Sequence, residues 1–363
     1  MTRETRNQYN PVDVSPPGET LLETIEALGI SQAELAERTG RPKKTINEII
    51  NGKAAITPET ALQLERVTRV PANFWNNRER LYREALARKE EVERLKNQSE
   101  WLSEVPVREM VKSGWIQGCK DKVQQVQELL SYFGVASPEI WRTYYTNELK
   151  VEFRQSKAFD SHFGAVTAWL RQGEILSRNV RCAPYNKETF QSKLKYIRTL
   201  TKEQPESFSE IIIKECAGAG VAVVFLPEIK GARICGATRW IKPDKALMQL
   251  SIRYKTNDHL WHTFFHEAGH ILLHGKTESF IECNEQNDKE KEADEFAVNF
   301  LIPRSAMRKF IEKGDFSIPS IVEFSREQEI SPAIVVGQLQ HRKLVLYNQC
   351  NKLKSHLTWK AEI

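Results

Sequence analysis

Residues 258–275 read DHLWHTFFHEAGHILLHG, and this run decides the C-terminal half of the chain. Asp258 can cap its start and Gly275 can stop it, so the spacing predicts one helix. On a helix of 3.6 residues per turn, His266 and His270 stand at i and i+4 and project from one face, where they can bind a single ion. Glu267 follows the first histidine directly. Its carboxylate can approach a water in the open metal position and take its proton as a general base, instead of binding the metal itself.

A catalytic zinc needs a third protein ligand, and the next helix, KEKEADEFAVNFLIP (289–303), offers one. Glu290 is the expected ligand. Asp294, one turn on, is expected to accept a hydrogen bond from the outer nitrogen of a ligand histidine and so fix its tautomer. Glu282, Glu285 and Glu292 compete for the third position, although Glu292, two residues from Glu290, lies on the far face of that helix. His262 and His274 extend the histidine stripe at i+4 spacing, but four turns cannot converge on one ion. They read as groups outside the ligand set, as electrophiles for a tetrahedral oxyanion, or as ordinary partly buried histidines.

Three β-rich runs precede the motif helix: VAVVFLP (221–227), GATRWI (236–241) and ALMQLSIRY (246–254). They predict a small antiparallel sheet, and a sheet followed by a helix bearing this motif is the setting of a zincin domain.

The opposite end carries a different constellation, ISQAELAERTGRPKKTINEIINGKAAITPETALQLERV (30–67). Ser31 with Glu34 forms a capping box for a first helix to about Arg38, Gly40 makes the turn, and a second helix runs from Pro42 to about Asn51. Leu35, Ala36, Ile46, Ile49 and Ile50 can lock the pair together. Arg41, Lys43, Lys44, Thr45 and Asn47 then crowd the part of the second helix that enters a major groove, with Lys53 just beyond and Gln32 placed to hold a phosphate. Glu48 is discordant in this group: it can accept from cytosine or stand as a solvated charge.

Between the two ends the organisation is helical. A flexible arm (1–17) precedes the helix-turn-helix bundle (18–78). A charged helix (79–104) follows, reading as a spacer, a dimer seam or a solvated helix packed on its own chain. A helical middle region (105–194) carries Trp115, Trp141 and Trp169 as core candidates. The zinc domain is expected over 195–350 and a tail over 351–363. The fold class is thus mainly α and multidomain: an N-terminal all-α bundle, a helical middle, and a C-terminal α+β zincin-like (gluzincin) domain with a small antiparallel sheet.

Bulk properties agree. The 363 residues, 40% hydrophobic and 28% charged, suffice for two or three cores, and the net charge of +5 is compatible with a nucleic-acid surface without demanding one. No apolar run of membrane-spanning length and no signal peptide is visible, so a cytoplasmic protein with no membrane partner is expected. Six singly placed cysteines, with no CxxC pair, read as reduced thiols.

The residues HEAGHILLHG (266–275) followed by EKEADEFAVNFLIP (290–303, preceded by Lys289) resemble the ImmA/IrrE family of zinc metallopeptidases, and the likeness extends over roughly 195–350, including PAIVVGQLQHRKLVLYN (332–348). The resemblance implies zinc bound by His266, His270 and Glu290, Glu267 as base, and a repressor protein as substrate. Residues 13–85 resemble Cro/CI-like (XRE) helix-turn-helix regulators of the HigA branch, through PGETLLETIEALGISQAELAERTG (17–40), NGKAAITPETALQLERV (51–67) and PANFWNN (71–77). That resemblance implies binding of a double-stranded DNA operator as a homodimer. It also raises a toxin partner, which a domain fused to a peptidase does not require. Pro42-Lys43-Lys44 departs from the small hydroxyl residues commoner there, so base preference is not carried over. Two functions follow as expectations: a DNA-binding regulator whose zinc peptidase domain cuts a repressor or partner, or a non-enzymatic HigA-like antitoxin or repressor whose zincin-like domain is a sensor or interaction module.

Overall fold

The structure, a computed structural model, describes residues 14–148, 163–203, 205–275, 280–281 and 288–359. The chain divides into two compact units, Met1–Ser99 and Glu100–Ile363. The expected arm lies outside the described residues except at its end, where Pro17 is already the first residue of a helix.

The first unit holds α1 (Pro17–Ala27), α2 (Gln32–Thr39), α3 (Lys43–Ile50), α4 (Pro58–Thr68) and α5 (Ala72–Asn97). Its core is Leu21, Ile25, Leu35, Ile46, Ile49, Ala61, Leu64 and Trp75. Gly18 is where α1 meets the end of α3: a Cβ there would come within 2.2 Å of the Ile50 carbonyl oxygen, so only glycine permits this approach. Ser31 Oγ accepts from the Glu34 amide at 3.1 Å, as capping requires, whereas the Glu34 carboxylate turns to Arg38 instead of closing a reciprocal box. Helix α5 runs unbroken across the expected boundary at 78/79. The reason is visible at Glu79, whose carboxylate accepts from the buried Ile56 amide at 3.0 Å and from Arg83 at 2.6 Å, tying the long helix to the bundle.

The second unit opens with α6 (Val107–Lys112), α7 (Lys122–Phe133), α8 (Pro138–Glu148) and α9 (Phe163–Ser177). Trp101, Phe133, Trp141 and Tyr145 pack edge to face or tilted with ring centroids 5.3–6.1 Å apart. Trp141 and Trp169 are fully buried, as expected of core residues, and Trp115 is half-buried. Next come α10 (Lys187–Thr199), α11 (Pro205–Ala217), β1 (Val221–Phe225), β2 (Gly236–Lys242), β3 (Lys245–Leu250), α12 (Asn257–Leu273), β4 (Phe280–Ile281), α13 (Asp288–Leu301), α14 (Arg304–Lys313), α15 (Ile318–Glu327) and α16 (Pro332–His341).

The sheet has the order β1-β3-β2-β4 and is mixed, not purely antiparallel: β1 pairs with β3 in parallel, while β2 pairs antiparallel with β3 and β4. The β2–β3 hairpin inserts its second strand beside β1, so β3 must run the same way as β1. On β3, Ala246, Met248 and Leu250 join the core that contains Trp261, Phe264 and Phe265 of α12. Gln249 points the other way, its Nε2 donating to the Trp169 carbonyl of α9 at 3.1 Å. The sheet is therefore covered on both faces, by α12 and by α9. Lys245 also reaches back to the carbonyls of Ser177 and Val180. Residues from the expected middle region are thus one layer of the second unit, and a boundary at 194/195 would cut that layer from its sheet.

The C-terminal segment is likewise built in. Leu357 is buried in the core. Asn257 exchanges hydrogen bonds with Ser355, and Leu357 donates its amide to the Lys255 carbonyl. Asp258, expected as the helix cap, is instead buried with Oδ2 2.6 Å from Lys354 Nζ, and Thr256 occupies the N-cap position.

Candidate metal centre and nucleic-acid interface

Two helices build the centre, and their separation is set by small residues. A Cβ on Gly269 of α12 would lie 3.1–3.2 Å from Phe296 and from the Ala293 Cα of α13, so the glycine lets the two backbones approach closely. This places the acidic turn of α13 over the histidine face of α12. His266 Nε2 and His270 Nε2 lie 3.0 Å apart, His266 Nε2 is 3.0 Å from Glu290 Oε2, and His270 Nε2 is 3.3 Å from Glu290 Oε1. All three residues are buried, and among the described residues they are the group able to hold a metal.

The donor set fits zinc. A tetrahedral ion with bonds of about 2.0–2.1 Å places its ligand atoms about 3.3 Å apart, which matches this triangle. Burial would raise the Glu290 carboxyl, but the two histidines outweigh it and hold it down to about 2. Burial pushes His270 down to about 4, against the opposing pull of Glu290. A neutral imidazole and an ionised carboxylate are the forms that bind a cation.

Around this triangle stand further groups. Asp294 Oδ1 is 2.8 Å from His266 Nδ1 and 3.9 Å from His262 Nε2, and its carboxyl is held low by these histidines against the desolvation of the side they cover. Burial, with help from His266, lowers His262 to about 4. His270 Nδ1 lies 2.9 Å from His274 Nδ1, and His274 Nε2 lies 3.2 Å from Glu292 Oε2. Glu292 therefore points to His274 and away from the triangle. The other two competing carboxylates, Glu282 and Glu285, lie outside the described residues.

Glu267 is completely buried. Its carboxylate occupies the space left by Gly236 of β2, where a Cβ would come within 2.4 Å of Oε1, and its carbonyl accepts from Thr238 Oγ1 at 3.4 Å. Nothing in the local sequence pattern marks Gly236, the first residue of the run 236–241, or Phe280, which stacks on His270 with centroids 4.2 Å apart. Phe280 sits on a two-residue strand with no periodicity to betray it.

In the first unit, α2 and α3 form the expected pair, joined through Gly40 in the left-handed region at φ 65°. Lys43, Lys44, Asn47 and Lys53 are exposed, while Gln32 and Thr45 are half-buried. Lys44 is 3.8 Å from Glu48, which makes Glu48 its ion-pair partner on the same helix. Arg41 is bound to α4: its Nε donates to Gln63 Oε1 at 2.5 Å, and Nη2 lies 3.4 Å from Glu59. Asn47 Oδ1 accepts from Asn51 Nδ2 at 3.1 Å.

Comparison with known proteins separates the same two parts. A helix-turn-helix family model matches residues 21–75, and the Peptidase_M78 model, described as an IrrE N-terminal-like domain, matches residues 244–335. The chain is 40% identical over 52 residues to virulence-associated protein A of Dichelobacter nodosus, covering 14% of this chain and 51% of that protein. It is 33% identical over 61 residues to the uncharacterized HTH-type transcriptional regulator YddM of Escherichia coli (strain K12), covering 17% of this chain and 65% of that protein. The chain thus spans between half and two thirds of the length of these curated relatives. An addiction module antidote protein of the HigA family from Coxiella burnetii superposes with a TM-score of 0.22 at 29% identity, over 23% of this chain and 92% of that one. Among the described residues no helix is long and apolar enough to cross a membrane. The chain joins an N-terminal helix-turn-helix domain to an IrrE-like domain of the Peptidase_M78 family.

Proposed function

We propose that this protein is a DNA-binding transcriptional regulator whose second unit hydrolyses a specific peptide bond in a repressor or partner protein, using zinc held by His266, His270 and Glu290. The observation that carries this reading is the triangle of two imidazole nitrogens and one carboxylate, 3.0–3.3 Å on a side and buried. When bound, zinc supplies Lewis-acid polarisation of a peptide carbonyl and lowers the pKa of a coordinated water.

The chain's own residues supply the rest. Glu267 takes a proton from the attacking water and passes it to the leaving amine. Asp294 accepts from His266 Nδ1, which leaves Nε2 unprotonated and aimed at the ion. The buried surroundings exclude bulk water and strengthen every electrostatic contact inside. In the first unit, Lys43, Lys44 and Lys53 meet operator phosphates, and Thr45 and Asn47 face base edges, with Gln32 at the start of α2. Arg41, bound to Gln63 and Glu59, contributes to the interface by bracing α3 against α4.

The test is zinc content together with cleavage. Purified protein should carry one zinc per chain, and co-expressed repressors should be cut by the wild type but not by Glu267→Gln. Equal fragments from both would reject the peptidase reading. Zinc binding without cleavage of any partner would favour the sensor role instead.

A further inference from the structure

His270 and His274 stand one turn apart on α12, and their Nδ1 atoms are 2.9 Å from each other. Two ring nitrogens at that distance cannot both carry hydrogen, and without a hydrogen between them they repel. One must donate and the other accept. The direction follows from the opposite side of each ring. His270 Nε2 belongs to the triangle with His266 and Glu290, so its lone pair must face the cation and its hydrogen must sit on Nδ1. His274 Nδ1 is then the acceptor, which places the hydrogen of His274 on Nε2. That atom lies 3.2 Å from Glu292 Oε2. The chain of donors is complete: His270 Nδ1–H to His274 Nδ1, and His274 Nε2–H to the Glu292 carboxylate.

We propose that His274, with its tautomer selected by Glu292, is the positioning residue for His270 and sets how tightly the centre holds a zinc-like divalent cation. The proposal rests on the zinc reading above. It assigns to the second ligand histidine the outer partner that Asp294 provides for the first, but in a different form. His266 donates directly to a carboxylate, whereas His270 donates to a neutral ring that is itself polarised by a carboxylate. The His274 side chain is only 3% exposed, while that of Glu292 is 64% exposed. The relay therefore leads from a dry centre to the surface. Phe280 stacks on His270 at 4.2 Å and lies 5.0 Å from His274, covering both rings and limiting their rotation about the shared hydrogen bond.

This arrangement distinguishes the roles of Glu290 and Glu292, two of the acidic residues on α13. Glu290 faces the triangle, and Glu292, on the far side of the same turn, selects a tautomer. Outer partners of this kind typically change metal affinity by about 10–100-fold when removed.

The experiment uses the full chain and measures zinc affinity by competition with a chromogenic chelator, alongside ring-nitrogen NMR of histidine-labelled protein. His274→Phe keeps an aromatic ring but has no acceptor, so zinc should bind about 10–100-fold more weakly. His274→Asn, whose Oδ1 can accept from His270 Nδ1–H, should recover most of that loss. Glu292→Ala, a surface change that cannot unfold the domain, should give a smaller loss and move the His274 ring shifts away from the pure Nε2–H pattern. The proposal is overturned if His274→Phe binds zinc like the wild type. It is equally overturned if Asn rescues no better than Phe, or if Glu292→Ala leaves the His274 ring shifts unchanged. A wild type without zinc overturns the proposed function and this inference with it. Tight wild-type binding that is lost in His266→Ala but unaffected in His274→Phe overturns this inference alone.

Discussion

His266 Nε2 and Glu290 Oε2 lie 3.0 Å apart although they belong to different helices joined through residues that form a strand of the sheet. Under the proposed zinc reading, these two atoms and His270 Nε2 would hold one shared cation. His266→Ala, His270→Ala or Glu290→Ala should each abolish stoichiometric zinc, measured by mass spectrometry of dialysed protein. For the wild type, free zinc at 100 times its dissociation constant should stabilise the folded state by about 2.7 kcal/mol, since it binds the folded chain alone. An unfolding midpoint indifferent to both zinc and chelator would remove the metal centre from consideration.

Gly236 leaves the room that the Glu267 carboxylate fills. Replacing glycine by alanine in a strand normally gains about 0.5–1 kcal/mol, but a Cβ 2.4 Å from Oε1 is an overpacked contact costing about 1–3 kcal/mol. The clash should win. Gly236→Ala is expected to be less stable than wild type in urea and to lose cleavage while retaining zinc, because Glu267 is displaced and the ligands are not. Unchanged stability and activity would show that Glu267 does not depend on this space.

Acid should weaken the metal-free protein in two stages of the same sign. His262 and His270 are pushed by burial from 6.5 down to about 4, so as pH falls the unfolded chain takes up protons first and stability drops between those values. Glu290, held at about 2 against its ordinary 4.5, adds a further loss as pH falls through that lower window. Urea midpoints of chelator-treated protein at pH 7.5 and pH 5 measure the first stage. His262→Gln should flatten it, and equal midpoints at the two pH values would contradict the assignment.

Lys354 and Asp258 form a buried ion pair at 2.6 Å that ties the C-terminal segment to the first turn of the motif helix. Removing one partner strands the other charge, at a cost of about 3–5 kcal/mol. Lys354→Ala should therefore destabilise the second unit strongly, whereas truncation after residue 359 should not. The comparison of two denaturation curves decides it.

Lys43 and Lys44 are exposed on the first turn of α3. If both meet phosphates, the double change to alanine should reduce the slope of log K against log salt by about 1.8 and weaken operator binding more at low salt than at high. Titrations of labelled operator at several salt concentrations give the slope directly, and an unaltered slope would place the DNA elsewhere.

Much of this was legible in the chain itself. The i, i+4 spacing of His266 and His270 and of Glu290 and Asp294 depends only on helical geometry, so the faces on which these residues lie could be read before any fold was known. The helix-turn-helix was legible for the same reason, from Ser31, Gly40 and the apolar set around Ile46. Local readings failed where a residue's role depended on a distant partner. Asp258 has the chemistry of a cap, yet Lys354 holds it. Residue 78 looked like a boundary because the charge pattern changes there, but Glu79 bonds to Ile56 and keeps α5 in the bundle. The parallel pairing of β1 escaped notice because strand composition does not encode direction.

The sequence by itself determined which residues could be ligands, base and base-reading groups, because side-chain type and helical period are local properties. Only the tertiary structure decided which of them meet. The closeness of α12 and α13 at Gly269 brings Glu290 to the histidine pair and turns Glu292 to His274, and packing against Gly236 places Glu267. A metal site needs its ligand atoms placed to within tenths of an ångström, and helices held by a sheet and a shared core are what can supply such placement.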